Sequence, residues 1–186
     1  MEGFAARYGG WAVVTGAAQG VGLAFTEALI ERGLGVVMVD VAPQLENVAA
    51  ELGDEATVRS LVADLKNPAW IEALGSATQG LEVGLAIANA GVAFVGRYLD
   101  MAPARRRAII DVNCAATADL ASWALPAMVD RGRGAFVATS SGSALAGTGG
   151  VALYSATKAF SVNLVEALGW ELADTGVDAL AVVAPT

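Results

Sequence analysis

Short apolar runs alternate with longer amphipathic ones along most of this chain. Trp11–Thr15, Gly35–Asp40, Thr57–Ala63, Leu81–Ala88, Ala135–Thr139 and Val177–Val183 are compact, Val- and Ala-rich segments of strand length. Between them, Gly20–Arg32, Pro43–Leu52, Pro68–Thr78, Pro103–Arg131 and Leu153–Ala173 carry apolar residues at helical spacing. Pro43, near the start of the second of these, suits a first helical turn, where its missing N–H costs nothing. The long fourth helix is expected to break before Pro126. Strict β–α alternation with strands apolar on both faces predicts one parallel sheet with helices on both sides, an α/β architecture.

Composition fits one packed domain rather than a disordered chain. Of 186 residues, 55% are hydrophobic, 16% are charged and 22 are glycine. The high hydropathy raises the question of a membrane span. However, Val83–Ile87 and Ala179–Ala184 are far shorter than the roughly 20 residues a spanning helix needs. The uncharged stretch Gly134–Thr157 is interrupted by Gly, Ser and Thr. Met1–Trp11 carries Glu2 and Arg7 and no apolar h-region, so no secretory signal is expected. A single Cys114 fits a reducing, cytoplasmic setting.

Charge and residue usage remove whole classes of function. A net charge of −8 lacks the basic footprint of a nucleic-acid binder. The run Arg105-Arg106-Arg107 is read as a solvated helix face rather than an anion site. The absence of histidine excludes Ser-His-Asp and Cys-His catalysis and histidine metal sites, and no metal is expected. Proton transfer must then use Tyr, Lys, Asp, Glu or water.

Chemistry concentrates where strands end. Thr15-Gly16-Ala17-Ala18-Gln19-Gly20-Val21-Gly22 joins the first strand to the first helix. Glycines there permit a tight turn and close ligand approach, and the helix N-terminus offers unpaired N–H groups to a pyrophosphate. Its spacing is G-x-x-x-G-x-G, not the common G-x-G-x-x-G. Asp40 ends the second strand 18 residues after Gly22, placed either to accept from an adenosine ribose, favouring NAD over NADP, or to cap the segment before Pro43. Asp64, Asn89-Ala90-Gly91 and Ser140-Ser141 follow later strands, at the sheet edge where ligands bind. Tyr154 and Lys158 stand one helical turn apart on one face. An ammonium ~4 Å from a phenol, at an effective dielectric of ~20, favours the phenolate by roughly 4 kcal/mol before desolvation opposes it. In isolation the pair would read as an ordinary surface pair.

Taken together, these pieces resemble the short-chain dehydrogenase/reductase family. They are Thr15–Gly22, Asp64, Asn89-Ala90-Gly91, Asn113, Ser141 and Tyr154-Ser155-Ala156-Thr157-Lys158, with thirteen residues from Ser141 to Tyr154. The resemblance implies a doubly wound, Rossmann-like three-layer sheet forming a single dinucleotide-binding and catalytic domain over residues 1–186. It implies a catalytic set of Asn113, Ser141, Tyr154 and Lys158. Tyr154 would exchange the proton of an alcohol or ketone oxygen that Ser141 holds. Lys158 would tune Tyr154 and grip the nicotinamide ribose, and Asn113 would anchor a water leading from Lys158. Gly16, Gln19, Gly20, Val21, Gly22, Asp40, Asp64, Leu65, Asn89, Ala90, Gly91, Tyr154 and Lys158 would contact the cofactor. Cys114 is read as core.

The chain departs from the family's pattern twice. Ala88 stands where a further Asn is common, and the chain stops at Pro185-Thr186, short of the usual C-terminal helix and seventh strand. The implied activity is NAD-dependent oxidation or reduction of a secondary alcohol or ketone. Ala93, Phe94, Val95 and Leu145 favour an apolar substrate. An NAD-binding sensor or scaffold without turnover, and an epimerase or dehydratase, are the alternatives. Trp123, Phe160 and Trp170 on the two long helices suggest a homodimer or homotetramer.

Overall fold

The computed structural model describes residues 3–185; Met1, Glu2 and Thr186 lie outside them. Six strands form one parallel sheet: β1 (Trp11–Thr15), β2 (Gly35–Asp40), β3 (Val58–Val62), β4 (Val83–Ala88), β5 (Gly134–Ser141) and β6 (Val177–Ala184). Their spatial order is β3-β2-β1-β4-β5-β6, so the chain winds outward from β1 in both directions. That order leaves a crevice between the ends of β1 and β4, where the connections diverge to opposite faces.

Side chains alternate across the sheet. Val13, Val37, Ala86, Phe136 and Ala138 face one layer, made of α4 (Trp70–Ala77), α6 (Ala116–Arg131) and α7 (Ala152–Glu171). Ala12, Val14, Val36, Met38 and Ile87 face the other, packed by α2 (Gly20–Glu31) and α3 (Leu45–Leu52). Beyond α2, this second face carries a groove of about 340 Å³ over β4–β6, with Leu180 57% exposed. A short α1 (Phe4–Tyr8) borders it, tied down by Arg7 and Tyr8, which both donate to Asp178 at 2.8 and 3.0 Å. Arg7 holds the Asp178 carboxyl below its ordinary value.

The long helix differs from expectation. It begins as α5 (Pro103–Ile110), widens into a π-helical turn at Asp111–Ala115, and continues unbroken through Pro126 as α6. Proline 126 leaves the carbonyl of Ser122 without a helical partner, but Ser122 is exposed and water can satisfy it. The deformation falls instead at Asn113, whose side chain is recruited elsewhere. Trp123, expected at the surface, is half-buried against the core. Phe160 and Trp170 are exposed, Trp170 at 86%. Among the described residues, no helix is long and apolar enough to cross a membrane, and no cluster of His, Cys, Asp or Glu could hold a metal.

Candidate active site

The site grows from the β1–α2 turn. Gly22 lies so close beneath it that a Cβ there would meet the Gly16 carbonyl oxygen at 2.0 Å, so only glycine lets the helix start under the loop. Gly20 has the left-handed φ of +59°, and the space above it is open. No side chain caps α2, which leaves its first N–H groups to a ligand. Thr15, missed as a functional position, ties this turn to β4. Its Oγ1 donates to Ile87 O and accepts from the N–H groups of Asn89 and Ala90 at 3.0 and 3.1 Å. Asn89 answers by donating to Thr15 O and Gly16 O at 3.0 and 3.2 Å.

A cleft of about 460 Å³ opens over this turn. Gly16 and Gln19 form one wall, Asp40 and Val41 one end, and Asn89, Ala90 and Gly91 the floor toward β4. Asp64, Leu65 and Lys66 complete the rim. Gly20, Val21 and Gly22 stand outside that lining, with Val21 half-exposed at the mouth. Asp40 does not cap α3: its carboxylate accepts from Ala42 N–H at 3.0 Å, closing a turn ahead of that helix, and from Ala18 N–H at 3.0 Å, bracing the glycine turn, and it lines the cleft. Asp64 accepts from Lys66 N–H at 3.0 Å and pairs with its ammonium at 3.1 Å; these contacts hold its carboxyl below the ordinary value.

The arginine run resolves into three separate contacts. Arg105 lines the cleft and donates to Ala93 O; Arg106 lies over the Tyr98 ring; Arg107 pairs with Asp111 at 2.7 Å. Arg105 and Arg107 are exposed, as a solvated helix face implies, and Arg105 also borders the cleft.

Ser141, Tyr154 and Lys158 lie outside the cleft lining, at the ends of β5 and α7. Ser141 ends β5 and is 6% exposed. Its Oγ accepts from Ser143 N–H at 3.3 Å and from Ser143 Oγ–H at 3.1 Å. Lys158 is buried, and its Nζ lies 5.8 Å from the Tyr154 ring centroid. The spacing thus brings the pair together, but the ammonium's hydrogen bond goes to Thr139 O at 2.7 Å. Burial pushes the Lys158 ammonium below its ordinary value. A Cβ on Gly91 would sit 3.3 Å from Nζ, so the β4 loop and the catalytic helix meet at this atom.

Asn113 is the clamp between them. It is buried in the π-turn, accepts from Val92 N–H at 2.8 Å, and donates to Val92 O and Thr157 Oγ1 at 3.0 and 2.9 Å. Thr157 Oγ1 in turn donates to Tyr154 O at 2.8 Å. Cys114 beside it is half-buried, and burial pushes its thiol up, away from the reactive thiolate. Ala88, at the first departure from the family pattern, is buried at the end of β4, and the Asn89 side chain makes its contacts to Thr15 O and Gly16 O beside it.

These features fit a dinucleotide. The glycine turn makes room for a pyrophosphate, the uncapped helix offers donors, and Thr139 Oγ1, beside the Lys158 anchor, is buried without a hydrogen-bond partner.

Comparison with known proteins agrees. A family model described as short chain dehydrogenase matches residues 10–186. The chain is 34% identical over 177 residues to human "Inactive hydroxysteroid dehydrogenase-like protein 1", covering 92% of this chain and 54% of that one. The chain therefore spans about half the length of that curated relative. A short-chain dehydrogenase from Sphingobium yanoikuyae in complex with NADPH superposes with a TM-score of 0.87 at 32% identity, over 95% of this chain and 70% of that one. The 3-ketoacyl-(acyl-carrier-protein) reductase from Brucella melitensis complexed with NADH gives a TM-score of 0.89 at 25% identity, over 95% and 76%.

Proposed function

The chain belongs to the short-chain dehydrogenase family, and on that footing we propose that it is a nicotinamide-dependent oxidoreductase acting on a small apolar secondary alcohol or ketone. The observation that carries this reading is the buried Lys158 ammonium beside the Tyr154 ring, set against a glycine-built cleft at the same sheet edge. When bound, the nicotinamide ring supplies or accepts the hydride. The protein's share is orientation and the proton. In reduction, the Tyr154 hydroxyl gives its proton to the substrate oxygen, and in oxidation the phenolate takes it back. Ser141 holds that oxygen, and Lys158 places its ammonium over the Tyr154 ring. Asn113 keeps the β4 loop against Lys158 through Val92.

An apolar substrate suits the loops around this site. Gly96 N–H donates to Gly150 O at 2.8 Å, joining two loops that present Val95 and Leu145 to solvent at 82% and 76% exposure. The test is a panel of alcohols and ketones followed by the absorbance of reduced nicotinamide. A second reading, nucleotide binding without turnover, is favoured by the relative whose name calls it inactive. Cofactor binding with no absorbance change across the panel would select it.

For the cofactor we propose NAD. The Asp40 carboxylate at the cleft end would repel a 2′-phosphate. Asp40→Ser is expected to shift the ratio of kcat/KM for NADP over NAD upward by about tenfold, the worth of one partly screened like-charge contact. An unchanged ratio, or a wild-type preference for NADP, would remove Asp40 from cofactor choice.

We also propose self-association through the outer faces of α6 and α7. Phe160 and Trp170 are exposed there, and Leu125, Val129, Leu164 and Leu168 line an open groove between the helices. Light scattering at micromolar concentration should give at least a dimer mass, and a monomer mass would exclude the interface.

A further inference from the structure

Ser143 is absent from every reading of the sequence given above, yet it is the residue that Ser141 touches through its hydroxyl. We infer that Ser143 is a positioning residue that commits the Ser141 hydroxyl to donating, so that the substrate oxygen accepts from Ser141 and exchanges its own proton only with Tyr154. This inference rests on the oxidoreductase reading.

The argument is one of hydrogen-bond capacity. A serine hydroxyl has two acceptor sites and one proton. Ser143 approaches Ser141 Oγ twice: its backbone N–H donates at 3.3 Å, and its Oγ lies 3.1 Å away, placed to donate into the second acceptor site. The direction of the first is fixed by the backbone, because an N–H can only donate. Both residues are buried, at 6% and 7% exposure, so bulk water competes poorly for these sites. A short 3₁₀ turn at Gly142–Ala144 carries Ser143 back over the end of β5 and sets this geometry. What remains to Ser141 is its proton.

That polarity matters for the chemistry. A substrate oxygen that becomes alkoxide-like in the transition state gains from every donor aimed at it and loses from any acceptor. With Ser141 held as a donor, an alcohol substrate cannot spend its O–H on Ser141, so the proton is left pointing at Tyr154. A Ser141 free to rotate would populate the opposite arrangement, in which it accepts the substrate proton and competes with Tyr154.

The experiment is a double-mutant cycle on the full-length protein. It is read by steady-state kinetics with the best substrate of the panel. Ser143→Ala is expected to lower kcat by about five- to tenfold, the loss typical of one hydrogen bond, with KM changed less than about twofold. Ser143→Thr restores the donor and should recover most of the loss. In a Ser141→Ala background, Ser143→Ala should cost nothing further. An equal loss in that background, or no loss in the single variant, overturns the inference.

A second readout needs no turnover. Acetophenone labelled with ¹³C at its carbonyl, held with oxidised NAD, should show a downfield carbonyl shift in the wild type and a smaller one in Ser143→Ala. A Ser143-dependent shift without turnover on the panel supports Ser143 setting the polarity of the Ser141 hydroxyl, while it overturns the oxidoreductase reading and with it the proton exchange with Tyr154. A shift indifferent to Ser143 overturns the inference alone. Neither shift nor turnover overturns both.

Discussion

Replacing Tyr154 by Phe is expected to cut kcat by about a thousandfold, the middle of the range for removing a general acid–base, while the Kd for NAD changes less than about threefold. The substitution deletes one oxygen and keeps the half-buried ring beneath the Lys158 ammonium, so the end of α7 has no reason to repack. The cofactor cleft is lined by the β1–α2 turn, the β2, β3 and β4 ends, α5 and the π-turn, and Tyr154 is not among its lining residues. Rescue by another group is blocked on two sides. The chain contains no histidine, and its single cysteine, beside Asn113, is held as a thiol by burial. Turnover in Tyr154→Phe within about tenfold of wild type would remove the phenol from the mechanism. Loss of NAD binding together with turnover would show that the hydroxyl serves the cofactor rather than the proton. Cofactor titration by fluorescence, beside the absorbance assay, separates these outcomes.

The sheet was legible because its strands are bounded by residues that strands tolerate poorly. Trp11–Thr15 runs from a Gly pair to the glycine turn, and Gly35–Asp40 from Gly to Asp, and both match their expected bounds. β5 proved longer than Ala135–Thr139. Ser140 and Ser141 look like loop residues by type, but Ser140 pairs with Val183 and Ser141 with Ala184 across the ladder. That pairing is a tertiary fact, and it fixes Ser141 on a strand end rather than a flexible loop. The π-turn was hidden for the same reason. Asn113 leaves regular helix geometry to bond both backbone groups of Val92, 21 residues away, and no local pattern reports such a partner.

In the site, the motif residues were legible and their supports were not. Thr15 and Thr157 stand inside the quoted motifs, but threonine is too common at strand and helix positions to signal a role. Only the bonds that Asn89 donates to Thr15 and Asn113 donates to Thr157 reveal one. Ser143 gave no signal at all. The Tyr154–Lys158 spacing was correct about proximity and silent about Thr139, whose carbonyl takes the ammonium. An i, i+4 pattern fixes which side chains share a face, not which backbone groups meet them.

That anchor leads to the second large effect. Lys158→Met should lower kcat by at least about a hundredfold and yet leave the protein as stable as the wild type, or more so, with Tm rising by about 2–4 °C. The catalytic loss follows from removing the ammonium that lies over the Tyr154 ring, beside the atom proposed to exchange the proton. The stability gain follows from burial. Because the folded-state pKa of Lys158 is depressed, the folded protein binds this proton less readily than the unfolded chain. The group's favourable contribution is present above the ordinary lysine value and is lost as pH falls through the folded value. While the ammonium stays protonated, the folded state bears the cost of the buried charge. Methionine fills a similar volume without it.

Against this stands the Thr139 carbonyl, which loses its 2.7 Å partner at a cost of about 1–3 kcal/mol. An effective penalty of several kcal/mol for a buried ion outweighs that, and a net gain of about 1 kcal/mol corresponds to the stated shift in a domain of this size. The sign should also depend on pH. As pH rises toward and through the folded value, the wild type regains stability that the variant never lost, and the gap between their Tm values should narrow. A variant that melts several degrees lower at neutral pH would mean that the Thr139 bond outweighs the cost of burying the charge. A gap that widens with pH would contradict a depressed Lys158. If the expected pattern holds, the protein keeps a destabilising charge at the one atom where its cofactor loop and its catalytic helix meet.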